Sequence, residues 1–327
     1  MKTITSLQRA ALLLALLLPV TILAQVLQPA VPESVGLSSR RLERLTEAFR
    51  GYAGRGHLPG SVVLVARKGQ IAYLEAFGKS DLESGAPLKE DAIFRIASQT
   101  KAIVSTGIMI LQEEGKLLTG DPVGRYIPEF METTVAVPGE DGTYEIVEAN
   151  RPITIRDLLT HTAGIGYGNG VAADLWEEAG IQGWYFADRD EPIQATVRRM
   201  ASLPFDAQPG ERFIYGYNTD ILGAVIEVVS GEPLDEFLTG RILQPLGMND
   251  THFYLPEEKR DRLAVVYSST DEGLERAPDP GKMVGQGAYV EGPRTSFSGG
   301  AGLLSTATDY ARFLQMMLNG GELIGRA

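Results

Sequence analysis

Cysteine is absent from this chain, and histidine is scarce. Without a thiol there can be no disulfide, no thiolate nucleophile and no cysteine-based zinc site. His57, His161 and His252 stand far apart, and no H-E-x-x-H or other tight ligand cluster suggests a metal. Positive charge is also short, with 30 Lys and Arg against 42 Asp and Glu for a formal net charge of −12. With no Lys/Arg-rich run, the chain fits neither nucleic acid nor an anionic membrane surface. Cofactor motifs are missing as well. Phe77-Gly78-Lys79-Ser80 has the end of a P-loop, but Tyr73 stands where its first glycine should be. Gly164, Gly166, Gly168 and Gly170 follow a helical pattern, not a strand, and do not make G-x-G-x-x-G. No G-x-S-x-G elbow occurs, so no cofactor and no nucleophile-elbow hydrolase are expected.

Long apolar runs are lacking too. Ala10 to Ala24 follows Lys2 and Arg9, is short for a bilayer span and contains Pro19. A basic start, a short apolar core and a small residue at Ala24 read as a secretory signal peptide over 1–24. Its removal would leave 327 − 24 = 303 residues, exported to the periplasm or beyond with no stable membrane anchor. The alternative is an uncleaved anchor.

What is present is an ordinary globular composition, 44% hydrophobic, with length enough for one or two domains. Leu42, Leu45, Phe49 and Tyr52 recur at helical spacing after Ser38-Ser39. Ser61 to Arg67 and Gln70 to Phe77, split by Lys68-Gly69, predict a β-hairpin. Val62 to Ala66 is apolar on both faces, which predicts a sheet covered by helices on both sides. Beyond residue 98 the pattern is mostly helical and loop-rich. Trp176, Trp184, Tyr185 and Phe186 form an aromatic patch, and Thr306 with Asp309 resembles a capping box. Ser268 to Ser298 is polar and glycine-rich and reads as an irregular connection or lid.

The chemistry centres on Phe94-Arg95-Ile96-Ala97-Ser98-Gln99-Thr100-Lys101. Ile103, Val104, Ile108 and Leu111 follow, and Gly115 ends the run. A helix apolar nearly all round belongs in the interior. Ser98 and Lys101 then share one face of a buried first turn, as residues three apart do. A serine beside a lysine in a dry place suits a nucleophile and its activator. The alternative is Lys101 paired with a buried carboxylate, since an unpaired buried ammonium is costly. In Pro209 to Gly223, Tyr215 and Tyr217 precede an apolar helix. They read either as core aromatics or as the source of a general base. His161, between two threonines, reads as a hydrogen-bonded structural histidine.

These motifs together resemble the serine hydrolases of the class C β-lactamase and penicillin-binding-protein superfamily, and most of all the family VIII esterases. Ser98-Gln99-Thr100-Lys101 matches S-x-x-K, Leu158 to Gly164 is similar to L-L-T-H-T-S-G, and Pro245 to Thr251 and Gly302 to Phe313 are further landmarks. The resemblance implies an α/β (α+β) fold of the β-lactamase/transpeptidase type. Its antiparallel sheet would be flanked by helices, beside a mostly helical region. The sheet part is expected at about 25–97 and 299–327, and the helical part at about 98–298. It implies Ser98 as nucleophile, Lys101 as activator and Tyr215 as the tyrosine of the second motif, acting on a small-molecule ester or amide. Tyr217 stands where β-lactamases carry the asparagine of Y-x-N, which favours an esterase over a β-lactamase or D-amino-acid peptidase. No K-T-G, H-x-G or W-G-G strand occurs. In the family that strand follows the Thr306 helix and supplies one oxyanion-hole amide. The chain is therefore expected to be C-terminally truncated, and a non-catalytic binding or sensor role stays a third reading. The oligomeric state is not encoded in any motif.

Overall fold

Lys68 and Gly69 both adopt positive φ, 55° and 72°. Two such residues make the tight turn whose twist matches that of its strands. The turn joins β2 (Gly60–Arg67) to β3 (Gln70–Gly78) in antiparallel register. β1 (Gln28–Pro29) adds a parallel strand, giving the order β1–β3–β2. The computed structural model describes residues 27–322 except 141, 184–185 and 279–284. The expected leader and the pair Trp184–Tyr185 lie outside the described residues.

Helix α1 (Ser39–Gly54) covers β3, with Phe49 stacked on Phe77 at 5.8 Å between ring centres. The other face of β2 meets α8 (Ala307–Leu318), so helices lie on both sides of the hairpin. β2 itself is only half-buried. The expected antiparallel sheet flanked by helices, with a mostly helical region beside it, is the architecture observed, as small sheets rather than one wide one.

The interior lies between two helices. α2 (Thr100–Glu113) buries Ile103, Val104, Ile108 and Leu111 against α6 (Asn218–Ser230), which buries Ile221, Leu222, Val225 and Ile226. Gly107 permits the close approach, since a Cβ there would stand 3.0 Å from Ile226 Cδ1. The expectation of an all-round buried helix needs correcting. Met109 is exposed, and so is Ser98, while Lys101 is buried. The helix is apolar on two faces and opens to solvent at its serine end.

Two further expectations change. β5 (Thr134–Pro138) and β6 (Tyr144–Glu148) form a hairpin inside the region read as helical. The stretch read as an irregular lid also begins with a hairpin, β7 (Tyr267–Thr270) and β8 (Gly273–Arg276). The Thr306 cap is half of a box. Its hydroxyl accepts from Asp309 N–H, but the Asp309 carboxylate turns to Asp250 N–H at 2.7 Å and Thr251 Oγ1 at 3.0 Å.

A complete capping box occurs at α3 (Ile155–Leu159), where Thr154 and Asp157 bond reciprocally. Asp157 also takes both arms of Arg151, at 2.7 and 2.9 Å. Burial pushes its carboxyl up, but the Arg151 fork and the Thr154 bonds outweigh this and the net shift is downward. Asp157→Ala should lower stability by about 2 kcal/mol, cap and ion pair together, measured as the shift of a urea midpoint. Because the folded carboxyl ionises below its unfolded value of about 3.9, this stabilisation is present above that pH. It fades as pH falls through the folded pKa.

Candidate active site

The short strand β4 (Phe94–Arg95) pairs antiparallel with β9 (Leu304–Ser305). That pairing lays residues 298–303 beside the start of α2. Ile96 N–H reaches Leu303 O at 3.1 Å, and Leu303 N–H reaches Thr100 Oγ1 at 3.1 Å. Between them the backbone makes an unusual bend, with Ala97 in the left-handed region at φ 45°. A residue with a Cβ loses about 1–2 kcal/mol there, so the surrounding bonds must hold it. The bend throws Ser98 out to solvent on a 3₁₀ turn while Lys101 points in from the first turn of α2.

Lys101 Nζ donates to Gly300 O at 2.8 Å and lies 3.4 Å from both Ser98 Oγ and Tyr167 Oη. It also stands 4.7 Å from the centre of the Tyr215 ring. Its hydrogen-bond partners are uncharged, so the alternative of a lysine in direct contact with a carboxylate does not describe this geometry. Structure thus brings Ser98, Lys101 and Tyr215 to one place, with Tyr215 presenting its ring face to the amine.

Tyr217 sits elsewhere. It is fully buried, stacks on Trp176 and Phe186, and donates to Gly183 O at 2.6 Å. Trp176 and Phe186 are core residues for the same reason, so the described part of the aromatic patch is interior. Tyr215 is 42% exposed and stacks on His161 at 4.8 Å and, more distantly, on Phe213. Gly216 lets this segment lie on the glycine loop, because a Cβ there would come within 2.3 Å of Ile165 O. His161 Nδ1 lies 2.9 Å from Asn218 Nδ2, an amide donor, which makes Nδ1 the acceptor. Burial, and then the charge of Lys101, push the imidazole down to about 4.

Two participants escaped the sequence reading. Tyr167 lies between Gly166 and Gly168, right after the L-L-T-H-T-A-G turn, and that placement was the signal available. Burial, and then Asp220 and Tyr215, push its phenol upward, so it stays protonated at neutral pH. The Gly300 carbonyl had no signal, because a backbone acceptor is invisible in residue identity.

An exposed serine beside a buried amine, at the start of a helix within a small α/β frame, fits a serine hydrolase of the β-lactamase type. The chain belongs to the β-lactamase family, whose profile matches residues 45–327. It is related to the family VIII esterases. It is 36% identical over 290 residues to esterase EstB of Burkholderia gladioli, covering 83% of this chain and 69% of that one. A putative D-alanyl-D-alanine carboxypeptidase of Escherichia coli K12 is 27% identical over 316 residues, 90% of this chain and 68% of the other. Among solved structures, EstCE1, a hydrolase with promiscuous acyltransferase activity, superposes with a TM-score of 0.73 at 30% identity. That match covers 86% of this chain and 73% of the other.

The His161 environment makes a testable prediction. Its imidazole should titrate near 4, not near 6.5, in a proton-detected NMR titration. Since the folded value lies below the unfolded one, the group destabilises the fold as pH falls from about 6.5 to the folded pKa. His161→Gln should flatten the stability profile in that window.

Proposed function

We propose that Ser98, Lys101 and Tyr215 carry out the hydrolysis of small carboxylic esters through an acyl-serine intermediate. The observation that supports this is the 3.4 Å approach of Lys101 Nζ to the exposed Ser98 Oγ, with no charged group among its bonded partners. Ser98 Oγ attacks the ester carbonyl as its proton passes to the Lys101–Tyr215 pair. The carbonyl oxygen becomes an oxyanion, and the Ser98 N–H at the helix start is placed to donate to it. Collapse breaks the bond to the alcohol, which leaves with the proton. Water then repeats the sequence on the acyl-serine, releasing the acid. A lysine cation beside a phenol favours phenolate, and a buried amine favours its neutral form. Tyr167, with its raised pKa, serves as a neutral hydroxyl partner for the amine.

In this reading residues 25–327 make one hydrolase domain, divided into its sheet and helical parts as the β4–β9 pairing suggests. Kinship with a putative carboxypeptidase supports a place outside the cytoplasm, periplasmic or secreted. Among the described residues no helix is long and apolar enough to cross a membrane. The same kinship favours D-Ala-D-Ala or β-lactam hydrolysis as the second reading.

Ser98→Ala should cut p-nitrophenyl ester turnover more than about a thousandfold and abolish labelling by a fluorophosphonate. Tyr215→Phe should lower kcat by about a hundredfold or more, as expected for loss of a general base. Labelling retained by Ser98→Ala would overturn the assignment. Faster turnover of D-Ala-D-Ala peptides or β-lactams than of esters would favour the second reading.

A further inference from the structure

Asp220 is an acid in the wrong place for an ordinary core. It lies in the first turn of α6, its side chain is completely buried, and Lys101 is not among its bonded partners. Oδ1 accepts from Ser298 Oγ at 2.6 Å and from Gly300 N–H at 3.0 Å. Oδ2 has no hydrogen-bond partner among the described residues. A buried carboxylate with one idle oxygen is costly to keep unless it does something.

The bonds around it form a continuous chain. Ser298 donates its hydroxyl hydrogen to Asp220, and the same oxygen accepts from Ala301 N–H at 3.3 Å. Ala301 N–H and Gly300 C=O belong to one peptide unit. That carbonyl is the 2.8 Å acceptor for Lys101 Nζ. Each donor in the row is polarised by the next acceptor, and such rows strengthen cooperatively in a low-dielectric interior. The fit is close. A Cβ on Gly300 would stand 2.3 Å from Asp220 Oδ2, so only glycine lets the peptide lie against the acid.

We infer that Asp220 and Ser298 are positioning residues for the hydrolytic site, acting through the Gly300–Ala301 peptide to hold the Lys101 amine against Ser98. Neither residue touches substrate. Their work is to fix and polarise the one carbonyl that orients the amine. The inference rests on the Ser98–Lys101 reading, and the experiment separates the two.

In the full chain, Ser298→Ala removes a single oxygen and breaks the row in its middle. It should lower kcat on p-nitrophenyl butyrate about ten- to a hundredfold, the scale of a small misplacement of a catalytic group. KM should stay within about twofold, and Ser298→Thr, which restores the hydroxyl, should recover most of the rate. If Ser298→Ala does not accumulate, Asp220→Asn carries the test. It keeps the shape but puts an amide where Oδ1 of the carboxyl accepts from Ser298 Oγ and Gly300 N–H, and kcat should again fall with KM unchanged. A folded Ser298→Ala protein with wild-type kcat, or a loss that appears wholly in KM, would overturn the inference. Ser98→Ala run alongside reports on the underlying reading: if it keeps ester turnover, that reading fails first. If it is inactive while Ser298→Ala is unaffected, the relay alone fails.

Discussion

A lysine amine held inside the protein next to a serine held outside it is the constraint on which the rest depends. An ammonium needs polar partners when it leaves water, and a direct carboxylate contact would lock it as a cation. Here the firm partner is a backbone carbonyl, Gly300 O at 2.8 Å, with two hydroxyls further off. A carbonyl can accept a hydrogen bond from either an amine or an ammonium. The group is thereby held in place by hydrogen bonds to uncharged partners.

Much of the surrounding architecture serves that placement. The β4–β9 pairing draws residues from opposite ends of the chain together, so that the 298–303 segment runs past the start of α2. The close packing of α2 on α6, permitted by Gly107, sets the distance between Lys101 and the Asp220 turn. The capped helix α3 ends in the His161 turn, whose glycine loop carries Tyr167 and whose imidazole backs Tyr215. The left-handed Ala97 is the strained point, and strain of this kind persists only where neighbours over-determine it.

The tyrosines show how environment sorts identical side chains. Tyr217 buries its ring among Trp176 and Phe186 and gives its hydroxyl to a carbonyl, so it is structural. Tyr167 is half-buried near Asp220, and both facts favour the neutral phenol. Tyr215 is half-exposed, faces the lysine with its ring and rests on a histidine that burial keeps uncharged. Three phenols within one cluster thus have three different capacities, although residue type alone makes them equal.

Residue identity alone fixes the local elements and the chemistry-bearing spacing. The Lys68–Gly69 turn, the S-x-x-K at a helix start, and α6 from its apolar run to Gly231 are set by short-range sterics and periodicity, which residue identity encodes directly. The β5–β6 hairpin is marked only by two short valine-bearing runs, Thr134 to Pro138 and Tyr144 to Glu148, on either side of a glycine turn, in a region dominated by helical signals. Only the tertiary structure decided which face of α2 is wet, because burial depends on what packs against a helix as well as on its own composition. It alone placed Tyr167, the Gly300 carbonyl and the Asp220–Ser298 row around Lys101. Those groups are separated by scores of residues, and one is a backbone atom, so nothing local marks them. Their meeting is fixed by strand pairing and helix packing, and these are properties of the whole fold.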